Sequence, residues 1–159
     1  MKKRVTHIVL GVVLIALDQI SKAIAADKLI YHQPVKIIDK FFYFTYTENS
    51  GAAWSILKGQ YIFFIVVAIF AVVFLVAWYL KSDRLLSQTA LILMIAGTLG
   101  NLLDRFHNAG KVRDFLDFYP FGYDFPVFNL ADSWLCIGAF FLFVDLLIEE
   151  QLWTKKQSQ

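Results

Sequence analysis

Four apolar runs, roughly Val5–Ala25, Tyr61–Leu80, Leu86–Leu103 and Ala131–Ile148, constrain this chain more than any other feature. Each approaches the roughly 20 residues that a helix needs to cross a bilayer. With 58% hydrophobic and only 18% charged residues, the chain also departs from soluble domains, which average about 45–50% apolar and about 25% charged. The runs predict an all-α membrane protein with minor β: a four-transmembrane-helix bundle plus a small extracytoplasmic β-cradle. Residues 1–159 would form a single integral membrane domain, with spans over 5–25, 61–80, 86–103 and 131–148 and extracytoplasmic loops over 26–60 and 104–130.

A cleaved signal peptide competes for the first run, because Lys2, Lys3 and Arg4 precede it and the small residues Ala23–Ala26 follow. Asp18 and Lys22 would then lie in an unusually long, charged segment before the cleavage site, which argues for a retained span. Four crossings put both termini on one side. The N-terminal KKR cluster, Lys81 and Arg84 in the short KSDR turn, and Lys155 and Lys156 in the tail share that side, so it should be cytoplasmic. Lys28, Lys36, Lys40, Lys58, Arg105, Lys111 and Arg113 on the opposite side match them in number, so the short segments and the N-terminal cluster decide the orientation. A net charge of +2 without a long basic run excludes a nucleic-acid partner. The lone Cys136 cannot form an intrachain disulfide and reads as core packing.

Both long loops carry strand-like sequence. In Lys36–Thr47 and Val112–Phe128, aromatic and β-branched residues dominate, broken in the second by Pro120 and Gly122. A small sheet resting on the outer leaflet fits, with Phe41, Tyr43, Phe118 and Tyr119 among the rings suited to the water–lipid boundary.

Polar residues gather in four places. Asp18 and Lys22 lie four apart near the end of the first span, on one helix face, where they can pair. In TENSGAAWS, Gly51, Ala52 and Ala53 permit close approach of a backbone and Asn49 offers donors and an acceptor, although Asn-Ser-Gly is also ordinary turn chemistry. In AGTLGNLLDR, Gly97 and Gly100 mark a tightly packed helix surface, and Asn101, Asp104 and Arg105 share one face. Asp104 with Arg105 reads equally as an interfacial salt bridge.

The fourth place is the pair Asp114 and Asp132, which a compact bundle could bring to its outer rim. Two carboxyls in one pocket of low dielectric cannot both ionise easily, so one keeps a proton. One can then activate water while the other donates to a carbonyl oxygen, chemistry that requires no metal. Other readings stay open at this point. Asp132 could cap the fourth helix, Asp114 could be a loop carboxylate like Asp117 or Asp124, and Asp104, Asp114, Asp132 and His107 could hold magnesium. No Ser-His-Asp arrangement is visible, and His7 and His32 have no evident partner.

Together these places resemble one family, lipoprotein signal peptidase (signal peptidase II), the bacterial membrane aspartyl proteases. Its blocks look like DQxxK, here Asp18–Lys22; NxGAA, here Asn49–Ala53; GGxxGNxxDR, here Ala96–Arg105; GxVxDF, here Gly110–Phe115; and FNxADxxI, here Phe128–Leu135. Ala96, Trp54 and Leu135 depart from the pattern without touching a carboxylate. The resemblance implies that Asp114 and Asp132 are the catalytic dyad; a helix N-terminus, which favours negative charge, makes Asp132 the expected readier anion of the two. It implies that Asn49, Gly51, Asn101, Arg105 and Asn129 bind substrate or position the dyad, and that Asp18, Lys22 and Asp104 support the architecture. The implied partners are a diacylglyceryl-modified prolipoprotein, cut just before its lipidated Cys, and membrane lipid. The chain is expected to act as a monomer in a bacterial inner or plasma membrane, with its active site at the outer face and with no cofactor or metal. A small transporter or channel subunit, whose buried charges would be ion stations, and a non-catalytic scaffold are the rival classes.

Overall fold

The computed structural model describes the backbone of residues 2–51 and 59–157 and the side chains of residues 4–51 and 59–151. Ala52, Ala53, Trp54, Ser55 and Lys58, and the side chains of Lys2, Lys3, Lys155 and Lys156, lie outside the described residues. Four long helices, α1 (Lys2–Lys28), α2 (Tyr61–Lys81), α3 (Leu85–His107) and α4 (Leu130–Gln157), accompany three strands, β1 (Val35–Ile38), β2 (Phe42–Asn49) and β3 (Val112–Phe118). All four helices are long and apolar enough to cross a membrane.

α3 is the central helix, packed against α1, α2 and α4. Small residues permit its close approach to α4 and α1: a Cβ added at Gly97 would collide with the carbonyl oxygen of Ala131, and one at Gly100 would lie 2.5 Å from Asp18 Oδ2 of α1. Leu91, Ala90, Ile92, Leu75, Tyr79 and Leu142 form the main apolar core. The outward faces carry Val12, Ile20, Phe70, Phe74, Phe140 and Phe143 exposed, as lipid-facing surfaces require. His7 has a partner after all, its Nδ1 lying 3.1 Å from Tyr79 Oη, because α2 comes back alongside the start of α1.

α3 continues past its apolar run to His107, where Asn101 is bonded by Lys22 of α1 and Asp104 by Arg113 of β3. The chain then reverses in a tight turn with Ala109 and Gly110 at positive φ, and Gly110 lies so close to Tyr61 that a Cβ would meet it at 2.5 Å.

The sheet is antiparallel in the order β1-β2-β3. Phe44 faces Leu116 and Thr47 faces Asp114, so two residues of β2 oppose one of β3, a β-bulge. The burial of β3 changes phase there: Val112 and Asp114 are buried before the shift, Phe115 and Asp117 after it. Asp117 is therefore no loop carboxylate; it sits 2% exposed in β3 and accepts a hydrogen bond from Thr45 Oγ1 at 2.5 Å. On the other side of β3, Phe115 N and Leu116 N both donate to Phe128 O, at 3.0 and 2.8 Å, and Phe128 N returns a bond to Leu116 O at 3.0 Å. That bridge fixes Phe128, two residues before α4, against β3, and so brings the start of α4 to Asp114.

Candidate active site

α4 begins with a reciprocal cap. Asn129 is the residue before the helix: its Oδ1 accepts from Asp132 N at 3.0 Å, and Asp132 Oδ2 accepts from Asn129 N at 3.2 Å. This is the capping-box arrangement, with Asp in the place usually held by Glu or Gln. Capping and chemistry thus do not compete for Asp132, because its second oxygen, Oδ1, faces away and accepts from Asn101 Nδ2 at 2.7 Å. A third group completes the helix start: Ala131 N donates to Asp18 Oδ1 of α1 at 2.9 Å.

The Asn129 amide nitrogen donates to Asp114 Oδ1 at 2.6 Å and lies 3.1 Å from Asn101 Oδ1. Asn101 Oδ1 also accepts from Lys22 Nζ at 2.9 Å. A hydrogen-bonded chain therefore runs from Lys22 through Asn101 to Asp132, and from Asn101 through Asn129 to Asp114. Asp114 is 2% exposed. Its carboxyl is pushed up to about 7 by burial and then by the neighbouring charge of Asp132, against the pull of hydrogen bonds from Asn129 and Asn49 and of Lys22.

Behind these groups lies a buried ionic cluster. Lys22, wholly buried, sits 2.9 Å from Asp18 Oδ2 and 3.7 Å from Asp104 Oδ2. Asp104 does not pair with Arg105. Arg113 takes it instead, with Nη2 at 2.6 Å from Oδ1 and backbone N at 2.8 Å from Oδ2. Successive helix positions point 100° apart, so Asp104 faces the bundle and β3 while Arg105 swings to the neighbouring face. There Arg105 Nη2 donates to Gly51 O at 3.3 Å and the guanidinium lies 5.1 Å from the Phe64 ring centroid, with Nε unbonded among the described residues.

A cavity of about 460 Å³ opens over the two carboxyls. Asp114, Asp132, Asn49, Gly51, Asn101 and Arg105 form its polar wall, and Phe128, Leu135 and Cys136 are among its apolar lining. Asn129 bonds the carboxyls from behind, and Asp18, Lys22 and Asp104 are fully buried beyond it. Cys136 is exposed rather than core, because the N-terminal turns of α4 carry it to the cavity edge. His107 Nδ1 lies 2.8 Å from Leu103 O on its own helix, and among the described residues no group of three or more His, Cys, Asp or Glu side chains is arranged to hold a metal ion.

Two members escaped the sequence reading. Gln19 Nε2 lies 3.0 Å from Asp18 Oδ2, 3.0 Å from Gly100 O and 3.3 Å from Asp104 Oδ1. Arg113 joins the cluster through Gln19 Oε1 at 3.3 Å as well as through Asp104. Gln19 stands inside DQxxK, where its place beside Asp18 was the available signal; nothing local marks Arg113.

A family profile described as signal peptidase (SPase) II matches residues 10–148. The chain is 40% identical over 142 residues to the lipoprotein signal peptidase of Staphylococcus haemolyticus, covering 88% of this chain and 89% of the relative. It is 40% identical over 144 residues to that of Staphylococcus aureus, covering 89% and 88%. Among solved structures, one described as a bacterial membrane enzyme superposes with a TM-score of 0.86 at 39% identity, covering 91% of this chain and 89% of that one. A second of the same description gives 0.82 at 40% identity, covering 89% and 92%.

Proposed function

The chain belongs to the signal peptidase II family, and on that premise we propose that Asp114 and Asp132 are the carboxyl pair that carries its peptide hydrolysis. It is a multi-pass membrane protease that removes the signal peptide from diacylglyceryl-modified prolipoproteins, cutting before the lipidated Cys. The observation that carries the dyad is Asn129, whose side-chain Nδ2 donates to the Asp114 carboxyl while its backbone N donates to the Asp132 carboxyl.

The two carboxyls have different surroundings. Asp132 accepts hydrogen bonds from Asn129 N and Asn101 Nδ2 at the N-terminus of α4, and it is assigned the part of the base. Asp114, pushed up to about 7, holds a proton on the acid side of that value and is assigned the part of the donor. Asp132 takes a proton from water as the oxygen attacks the scissile carbonyl carbon, while Asp114 gives its proton to the carbonyl oxygen. In the collapse Asp132 returns its proton to the leaving amide nitrogen, the C–N bond breaks, and Asp114 recovers a proton from the hydroxyl that becomes the new carbonyl. Arg105 and Asn49 on the cavity wall hold substrate carbonyl groups, Gly51 gives the substrate backbone room, and Asn101 and Asn129 orient the dyad.

Both termini face the cytoplasm and the carboxyls lie at the outer surface, where one water reaches the bond while two acyl chains stay in lipid. The substrate arrives sideways through the bilayer, the sheet with its aromatic edge covers the groove, and one chain is sufficient. The test is incubation of the purified chain in detergent with several diacylglyceryl-modified prolipoproteins, followed by product masses. Cuts directly before the lipidated Cys are expected; intact substrates with well-folded protein overturn the reading.

A further inference from the structure

A second cavity, of about 390 Å³, also borders Asp114. It shares Asn49, Asp114 and residues 125–127 with the first cavity, but it does not include Asp132 or any part of α4. Its outer wall is polar and acidic, built from Thr47, Glu48 and Asp124. The two spaces differ in character. The first runs from the carboxyls to Leu135 and Cys136 of α4, into the membrane-spanning bundle. The second leaves from Asp114 along the end of β2, away from the helices.

A peptide whose scissile bond lies over the two carboxyls must place its two ends on opposite sides of that bond. The signal helix and the acyl chains are apolar and belong with the first cavity. The mature chain, which goes into water, has the polar one. The charge on the polar wall is uneven. Glu48 Oε2 is 2.8 Å from Lys111 Nζ and its Oε1 accepts from Tyr46 Oη at 3.2 Å, so its charge is largely matched. Asp124 is exposed and takes part in no ion pair among the described residues.

Resting on the peptidase reading above, we infer that the cavity between the end of β2 and residues 124–127 is the subsite for the residue that directly follows the lipidated Cys, with Asp124 selecting against an acidic side chain there. A basic or neutral residue is accepted and an acidic one repelled. The same negative wall suits the amino group released on the Cys when the bond is cut, and draws the product outward.

The test uses the purified full-length chain in detergent with three diacylglyceryl-modified prolipopeptides carrying Lys, Asn or Asp directly after the Cys. The wild type is expected to cleave the Lys substrate with a kcat/KM about five-fold above the Asp substrate, as two like charges near a wetted surface require. Asp124→Asn narrows that ratio, Asp124→Lys reverses it, and raised salt shrinks it in the wild type. Asp83→Asn, in the turn between α2 and α3, leaves it unchanged. An identical Lys-to-Asp ratio in the wild type and both Asp124 variants overturns the subsite while leaving the peptidase intact. Failure of folded wild type to cut any of the three overturns the peptidase reading itself, and this inference with it.

Discussion

Asn129 Nδ2 reaches Asp114 Oδ1 at 2.6 Å, and this bond spans two structural units, joining the cap of α4 to the middle of β3. Because the same Asn129 caps α4, the stability of the helix start and the alignment of the two carboxyls rest on one side chain. The two roles separate by substitution. Asn129→Ala loses the cap and costs about 1 kcal/mol of stability. Asn129→Ser retains a capping oxygen and should melt close to wild type, yet its side chain is too short to hold Asp114. Both variants should lose about 10- to 100-fold in kcat, as removal of groups that orient a reacting side chain does. Thermal melts run beside initial rates check this; normal rates in Asn129→Ser would show that the bridge to Asp114 is not used.

Asp114 sets the pH response. Its carboxyl is raised from 3.8 to about 7 in the folded chain. Between those values the folded state holds a proton that the unfolded state has lost, so this group's contribution to stability falls as pH rises through that window and is lowest above 7. On the proposed mechanism cleavage needs the same proton, so kcat should decline on the alkaline side with a midpoint near 7. Asp114→Asn removes the ionisation and should be more stable than wild type at pH 8 by about 1–3 kcal/mol, with little difference at pH 4. Melting curves at both pH values supply the check.

Lys22 is wholly buried between Asp18 and Asp104 and donates to Asn101. Lys22→Met leaves Asp18 unmatched in the interior and should destabilise the chain by about 3–5 kcal/mol. Adding Asp18→Asn should recover part of the stability but not the rate, because Asn101 has still lost the donor that orients it toward Asp132. Denaturation midpoints in detergent and kcat for the single and double variants measure the two effects.

Gly97 admits the first turn of α4. A methyl group there meets backbone, the Ala131 carbonyl, which cannot rotate aside. Gly97→Ala should cost about 1–3 kcal/mol by overpacking and slow cleavage by shifting Asp132. The same change at Gly59, which has open space around its Cβ position but a positive φ, separates packing from backbone strain: it should lower stability through the turn alone and leave kcat near wild type.

The helices were legible because hydrocarbon length and apolarity are properties of contiguous residues, and α2, with no charge before Lys81, is the clearest case. The lower end of α3 was less so. Asn101, Asp104 and Arg105 end an apolar run, and only the partners supplied by α1, β3 and Gly51 show why the helix continues to His107. Asp18 and Lys22 could be paired by helical spacing, whereas Arg113 could not be matched to Asp104, because helix-to-strand distances depend on the Ala109–Gly110 reversal. Asp117 reads as a loop carboxylate in isolation, and its place inside the strand-like run Val112–Phe128 was the available signal against that. Its burial follows a register shift in which Thr45 and Tyr46 of β2 oppose Phe115 of β3.

The most direct measurement is single-turnover cleavage of a diacylglyceryl-modified prolipoprotein by wild type, Asp114→Asn and Asp132→Asn, each verified as folded and each assayed with a metal chelator present. The wild type should cut directly before the lipidated Cys, and both variants should be slower by at least about 10³-fold, as loss of either member of a catalytic unit produces. A folded variant that retains the wild-type rate would contradict the assignment of the two carboxyls.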